Sequence, residues 1–114
     1  KIFCVNWFRK DESGKFVWPG YGENMRVLKW MIDRIEGRAN GAETMFGIAP
    51  TYGELNWTGL DFSPEQFKTV TAIDKAAWLE ELKLHAAHFE QLAYHLPKEL
   101  LETKAELEKR LATV

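Results

Sequence analysis

At 114 residues the chain suits one compact domain, and a content of 46% hydrophobic and 13% aromatic residues is enough for a core and far from a disordered profile. A net charge of −2 with both signs interspersed leaves no basic stripe of the kind a phosphate backbone requires, which argues against nucleic acid. No apolar run reaches membrane-spanning length, no signal peptide precedes the first strand, and the lone Cys4 excludes an internal disulfide and points to a reducing, cytosolic setting.

The chain opens on Lys1 rather than Met, as a processed protein or a segment of a longer chain would. Residues 2–8 are rich in β-formers and predict a strand, in which Cys4 reads as a buried thiol. Ser13-Gly14 marks a turn, and Phe16-Val17-Trp18 forms a second extended segment stopped by Pro19-Gly20. The intervening loop is longer than the commonest hairpin turns, so pairing of the two segments stays open. A glycine-flexed loop, 20–24, leads to a helix on which Val27, Leu28, Met31, Ile32 and Ile35 recur at helical spacing. Asn24 is the candidate N-cap and Gly37 the candidate stop.

Residues 38–62 read as an irregular connection with one short apolar run, Met45 to Ile48. Ser63-Pro64-Glu65-Gln66 then combines a Ser cap, Pro at the first helical position and a Gln completing a capping box. Asp74 caps a longer helix, with Trp78, Leu82, His85, Phe89, Leu92 and Leu96 on one face and Pro97 as its breaker. Leu100, Leu101, Leu107 and Leu111 predict a final amphipathic helix. The fold class is α+β, with short N-terminal strands and a glycine loop followed by a mainly helical C-terminal half.

The informative stretch is 6–24, which gathers Trp7, Phe8, Phe16, Trp18 and Tyr21 around Pro19-Gly20-Tyr21-Gly22. A purine needs flat apolar faces above and below and a few polar groups at its edge, which aromatics, close backbone and an Asn side chain supply. On composition alone, aromatics near a turn are more often core than a ligand box. Gly20-x-Gly22 lacks the third glycine of a dinucleotide fingerprint, and no phosphate-loop motif occurs in the chain. His85 and His88, with His95 beyond and Glu81 a turn before, have metal-compatible spacing on a helix face. No second ligand set accompanies them, and solvated or packed histidines are the expectation. Arg9, Lys10 and Lys15 either steer phosphates or are exposed turn charges, the latter being favoured.

The order of residues is more specific than their composition. Asn6-Trp7-Phe8-Arg9-Lys10-Asp11, then Gly14-Lys15-Phe16-Val17-Trp18-Pro19-Gly20, then Gly22-Glu23-Asn24-Met25-Arg26-Val27-Leu28 resembles the guanine-binding stretch of GTP-dependent phosphoenolpyruvate carboxykinases. The likeness is tight over residues 2–37 and looser afterwards. It implies a part of the family's nucleotide-binding C-terminal domain, with a guanine-binding region at 1–37, a connection at 38–62 and C-terminal helices at 63–114. It further implies that Phe8 and Tyr21 flank the guanine and that Phe16 closes the pocket. Trp7 would support that wall, and Asn24 with the backbone of Tyr21, Gly22 and Glu23 would read the base edge. One departure stands out: Tyr21 occupies a position that is usually Phe, and its hydroxyl needs water or a partner.

By the same resemblance the intact enzyme is a cytoplasmic decarboxylating lyase of gluconeogenesis. It converts oxaloacetate and GTP to phosphoenolpyruvate, GDP and carbon dioxide, with Mn2+ and Mg2+. The phosphate-cradling loop, the metal ligands, the arginines that grip oxaloacetate and the mobile lid lie upstream in the family. The chain therefore carries no catalytic residue or metal ligand, is expected to be inactive alone, and has the upstream remainder of the enzyme and a guanine nucleotide as partners. The rival expectation is a self-standing helical interaction module without catalytic activity, binding a partner along the apolar face of 63–114.

Overall fold

The computed structural model describes residues 1–113. The chain divides into two units, Lys1–Ala72 and Ile73–Val114. Most of the ordered backbone is helical, with one two-stranded antiparallel sheet among the described residues.

The first unit begins without the expected strand. Residues 2–6 have no regular structure, and the only ladder contact near them is an isolated antiparallel bridge between Lys10 and Phe16. The physical reason is that β-propensity does not make a strand. A ladder partner does, and no described residue pairs with 2–8. Cys4 is accordingly exposed rather than buried. The Lys10–Phe16 bridge is closed by a tight loop in which Asp11 Oδ1 accepts from the Ser13 and Lys15 amides at 2.9 and 3.0 Å and from the Ser13 hydroxyl at 2.6 Å.

A short 3-10 turn, Tyr21–Glu23, runs into α1, Asn24–Ile35, which ends just before Gly37. This corrects the cap assignment. Asn24 is already helical (φ −59°, ψ −30°), and Glu23 precedes it as N-cap without a capping side chain. The 3-10 turn starts the coil one step early, which releases the Asn24 carboxamide for another bond. The buried side of α1 also differs from the apolar spacing. Trp30 is buried, edge-on to Phe3 at 6.1 Å, and donates its indole N–H to the Asn40 carbonyl at 3.0 Å. Leu28, Ile32 and Ile35 are exposed.

The sheet lies where the sequence reads as irregular. β1, Ala42–Thr44, pairs with β2, Gly47–Ala49, in the register Ala42–Ala49, Glu43–Ile48 and Thr44–Gly47. Met45 and Phe46 form the turn, held by Thr44 Oγ1, which donates to the Gly47 carbonyl at 2.8 Å and accepts from the Phe46 amide at 3.2 Å. A second 3-10 turn, Tyr52–Glu54, follows, and then α2, Pro64–Thr71. The α2 capping box forms as expected: Ser63 Oγ accepts from the Gln66 amide at 3.2 Å, and Gln66 Oε1 accepts from the Ser63 amide at 2.8 Å. Trp18, Trp30, Met45, Leu55 and Phe62 are the buried residues of this unit.

The second unit is a pair of helices, α3, Lys75–Gln91, and α4, Lys98–Ala112. Asp74 caps α3 by accepting from the Ala77 amide at 3.0 Å. The helix stops at Gln91, well before Pro97, because Leu92 leaves helical geometry and turns its amide back on the last carbonyls. Leu82 and Leu111 are buried, and Lys75 Nζ donates to the Ala112 carbonyl at 3.3 Å, tying the start of α3 to the end of α4.

Candidate functional site

Aromatic residues of the first unit build one open cleft of about 1000 Å³. Tyr52 and Trp57 stack at 5.1 Å and 17°, and Trp57 stacks in turn on Phe62 at 5.1 Å and 19°. The Tyr52 hydroxyl donates to the Phe62 carbonyl, and the Trp57 indole donates to the Tyr52 carbonyl, both at 2.8 Å. These bonds satisfy the polar ends of two large rings and fix the platform. Trp18 packs on it edge-on, 5.6 Å from Phe62 and 6.4 Å from Trp57, and Trp7 lies 5.7 Å from Trp18. This succession carries the half-buried platform out to a cleft lined by Trp7, Phe8, Phe16, Tyr21 and Asn24 on one side.

The opposite wall is α2 and the segment before it, including Asp61, Phe62, Glu65 and Gln66. These residues are absent from the expected site. They stand some forty positions downstream of it in sequence, and the only local signal is the aromatic run ending at Phe62 just ahead of the Ser63-Pro64 helix start.

Of the expected base-binding residues, Trp7, Phe8, Phe16, Tyr21 and Asn24 share this cleft, while the Gly22 and Glu23 side positions do not line it. Glu23 instead pairs with Arg26. The Glu23 amide donates to the Gly20 carbonyl at 3.0 Å and the Asn24 amide to Tyr21. Gly20 takes φ 123°, which an L side chain rarely adopts, and this lets the chain swing Tyr21 out at the cleft mouth. Phe8 and Phe16 meet edge to face at 6.0 Å, and Lys10 Nζ sits 5.2 Å from the Phe16 ring centre, where a cation stabilises the π-face.

The polar equipment is selective. Trp18 Nε1 donates to Asn24 Oδ1 at 2.8 Å, a partly buried bond. Three lining carboxylates, Asp11, Asp61 and Glu65, face a single lining cation, Lys15. The Asp11 carboxyl is held below the ordinary carboxylate range by the Ser13 hydroxyl first and then the Lys15 amide. Glu65 is likewise lowered, by its own backbone amide and by Ser63. With Lys10 on the Phe16 ring as a second cation nearby, the rim keeps a mild excess of carboxylates at neutral pH.

Among the described residues no three His, Cys, Asp or Glu side chains come together as a group that could hold a metal ion. His85 on α3 lies 3.4 Å from the Glu81 carboxylate within one helix face. Among the described residues no helix is long and apolar enough to cross a membrane.

Comparison with known proteins places the chain in a family. Residues 1–110 match the phosphoenolpyruvate carboxykinase C-terminal P-loop domain. The chain is 51% identical over 100 residues to the phosphoenolpyruvate carboxykinase (GTP) of Anaeromyxobacter sp. (strain K), covering 88% of this chain and 17% of that protein. It is 45% identical over 112 residues to the proteins of the same name from Treponema pallidum (strain Nichols) and Neocallimastix frontalis, covering 97% of this chain and 18% of each. The chain thus spans 17–18% of the length of these relatives. It belongs to the C-terminal P-loop domain family of GTP-dependent phosphoenolpyruvate carboxykinases.

Proposed function

We propose that the chain is the base-binding part of a GTP-dependent phosphoenolpyruvate carboxykinase, the lyase that turns oxaloacetate and GTP into phosphoenolpyruvate, GDP and carbon dioxide. The observation that carries this reading is the cleft itself: five of the expected residues meet around one opening with an aromatic floor and an anionic rim. Phe8 and Tyr21 flank the guanine, Phe16 closes the pocket and Trp7 backs the wall. Asn24 and the backbone of Tyr21, which line the cleft, read the base edge.

The anionic rim makes a poor seat for a triphosphate, so phosphate binding, Mn2+, Mg2+ and oxaloacetate fall to the upstream remainder of the same enzyme. The exposed apolar residues Leu28, Ile32 and Ile35 of α1 support a covering partner there, and the greater length of the relatives favours that remainder as the partner. The setting is cytoplasmic. Competition between GDP and ADP on the full-length enzyme tests the assignment. A marked preference for GDP is expected, because edge groups suited to guanine are left unpaired by adenine. Equal affinity for the two nucleotides would sink it.

A further inference from the structure

We infer that Trp18 is a specificity-determining positioning residue: its indole N–H locks the Asn24 carboxamide with its amide nitrogen toward the base, so that the site demands an acceptor at the purine 6-position. This rests on the guanine reading above and goes beyond it, because Trp18 does not itself read the base.

The argument starts from an ambiguity inherent in asparagine. Its carboxamide has an accepting end and a donating end of nearly equal shape, and a half-turn exchanges them. An unconstrained Asn at a base edge can serve guanine, whose 6-position oxygen accepts, or adenine, whose 6-position amine donates. Discrimination requires something that forbids one orientation. The indole nitrogen of Trp is a donor only. At 2.8 Å from Asn24 it can bind the oxygen and nothing else, so the Oδ1 end is committed inward. Among the described residues no hydrogen bond is made by Asn24 Nδ2, and no buried side-chain nitrogen or oxygen lacks a partner. The Nδ2 end is therefore accessible, and Asn24 lines the cleft.

Trp18 is suited to hold this orientation because it cannot turn away. It is buried at 8% exposure and contacts Trp7, Trp57 and Phe62 at ring separations of 5.7, 6.4 and 5.6 Å. Asn24 is fixed from its own side, since it is the first residue of α1 and its amide donates to the Tyr21 carbonyl. With both ends anchored, an adenine amine would meet a donor. Flipping the carboxamide to accept it would set Asn24 Nδ2 against the indole N–H, donor to donor, in a partly buried place.

The test uses the full-length enzyme carrying these residues, with Kd measured for GDP and ADP in the parent, in Trp18→Phe and in Asn24→Ala. Trp18→Phe keeps a ring in the cluster and removes the donor. The expected result is a fall of about tenfold or more in the preference for GDP over ADP, the size of one hydrogen bond's discrimination. In the Asn24→Ala background the same Trp18 change should leave the preference unmoved, because there is no carboxamide left to orient. A Trp18→Phe protein that weakens GDP and ADP by the same factor would overturn the lock and leave Trp18 a packing residue. Should Trp18→Phe fail to fold, the benzothiophene isostere of tryptophan at position 18 preserves the shape and still removes the N–H. An unchanged preference with that isostere overturns the proposal equally. A parent enzyme indifferent to GDP and ADP would instead refute the guanine site itself, an outcome separate from either.

Discussion

Phe8 and Phe16 touch edge to face, with ring centres 6.0 Å apart and planes inclined at 64°. Two rings that sandwich a base need parallel planes about 7–8 Å apart, one van der Waals contact on each side. This pair cannot hold guanine between its own faces. Under the guanine reading the stacking face then falls to Phe8, with Phe16 as its brace.

That division of labour predicts unequal costs. Phe8→Ala should weaken GDP binding by about 1–3 kcal/mol, the value of one lost base stack. Phe16→Ala should cost only about 0.5–1.5 kcal/mol, the worth of an aromatic edge contact. Calorimetric titration of both variants of the full-length enzyme checks the order. A larger penalty at Phe16 than at Phe8 would show that Phe16 is the stacking ring.

By the family resemblance Tyr21 stands where Phe is usual, and its hydroxyl is easily accommodated. The side chain is 91% exposed at the cleft mouth, so the hydroxyl is solvated and needs no protein partner. Tyr21→Phe should then leave GDP affinity nearly unchanged, while Tyr21→Ala should cost about 1–3 kcal/mol through the lost stack. Equal affinity for Tyr21→Ala and the parent would remove this residue from the site.

Acid should loosen the loop that presents Phe16. Asp11 accepts three bonds through one oxygen, two from Ser13 and one from Lys15, and its carboxyl is depressed as a result. A carboxylate with a lowered folded-state pKa contributes stability above its ordinary range, and that contribution is lost as pH falls through the lowered value. The Ser13 and Lys15 amide resonances should therefore move together, at a pH below that of an unperturbed Asp. In Asp11→Asn this step should vanish. Titration of those amides in the ordinary Asp range would mean that the loop bonds do not hold the carboxylate.

Gly41 sits where the hairpin meets α1. A Cβ there would lie 2.5 Å from Ile48 Cγ2, 2.9 Å from the Ala49 carbonyl oxygen and 3.2 Å from Trp30 Cζ2. The backbone oxygen has little room to yield, so Gly41→Ala should destabilise by about 1–3 kcal/mol through overpacking. Gly53→Ala serves as the control, since nothing lies within 4 Å of its added Cβ. Thermal melts of the two variants should differ, with Gly41→Ala melting earlier. Coincident melts would show that β2 and Trp30 shift freely.

What was legible in the sequence follows from how local each signal is. The Ser63 and Asp74 caps read correctly because a cap is decided within four residues. Residues 2–8 read as a strand from propensity, but pairing is non-local, and the only ladder contact near them is Lys10 with Phe16. The β1–β2 hairpin has no turn signature in sequence, because its turn is Met45-Phe46 rather than the Asn-Gly type, with Thr44 Oγ1 supplying the closure. The first cleft wall was contiguous in sequence and visible. The second, on α2, depends on the chain returning through Trp57 and Phe62. The Trp18–Asn24 bond carries no sequence signal, because Asn24 at a helix start reads as a cap or a base-edge group, and only the 3-10 turn before it frees its carboxamide for Trp18.

The isolated chain should bind GDP at millimolar affinity or weaker and catalyse nothing. Two or three aromatics engaging the base at about 1–3 kcal/mol each give a gross gain of roughly 2–9 kcal/mol. Association alone costs about 4–15 kcal/mol, and immobilising exposed rings adds to it. Phe8, Phe16 and Tyr21 are 71%, 52% and 91% exposed, so few neighbours hold them in place before the base arrives. Charge-assisted phosphate contacts would normally offset that cost, but the cleft presents Asp11, Asp61 and Glu65 against Lys15. The rim therefore opposes the diphosphate. Guanosine should accordingly bind the isolated chain no more weakly than GDP, and added salt should narrow any difference by screening the rim. In the full-length enzyme the order should reverse, with GDP far tighter than guanosine. Calorimetric titrations of both ligands into both proteins, at low and high salt, test this. Micromolar GDP binding by the isolated chain would show that the base cleft is self-sufficient and that the carboxylates on its rim do not face the phosphates.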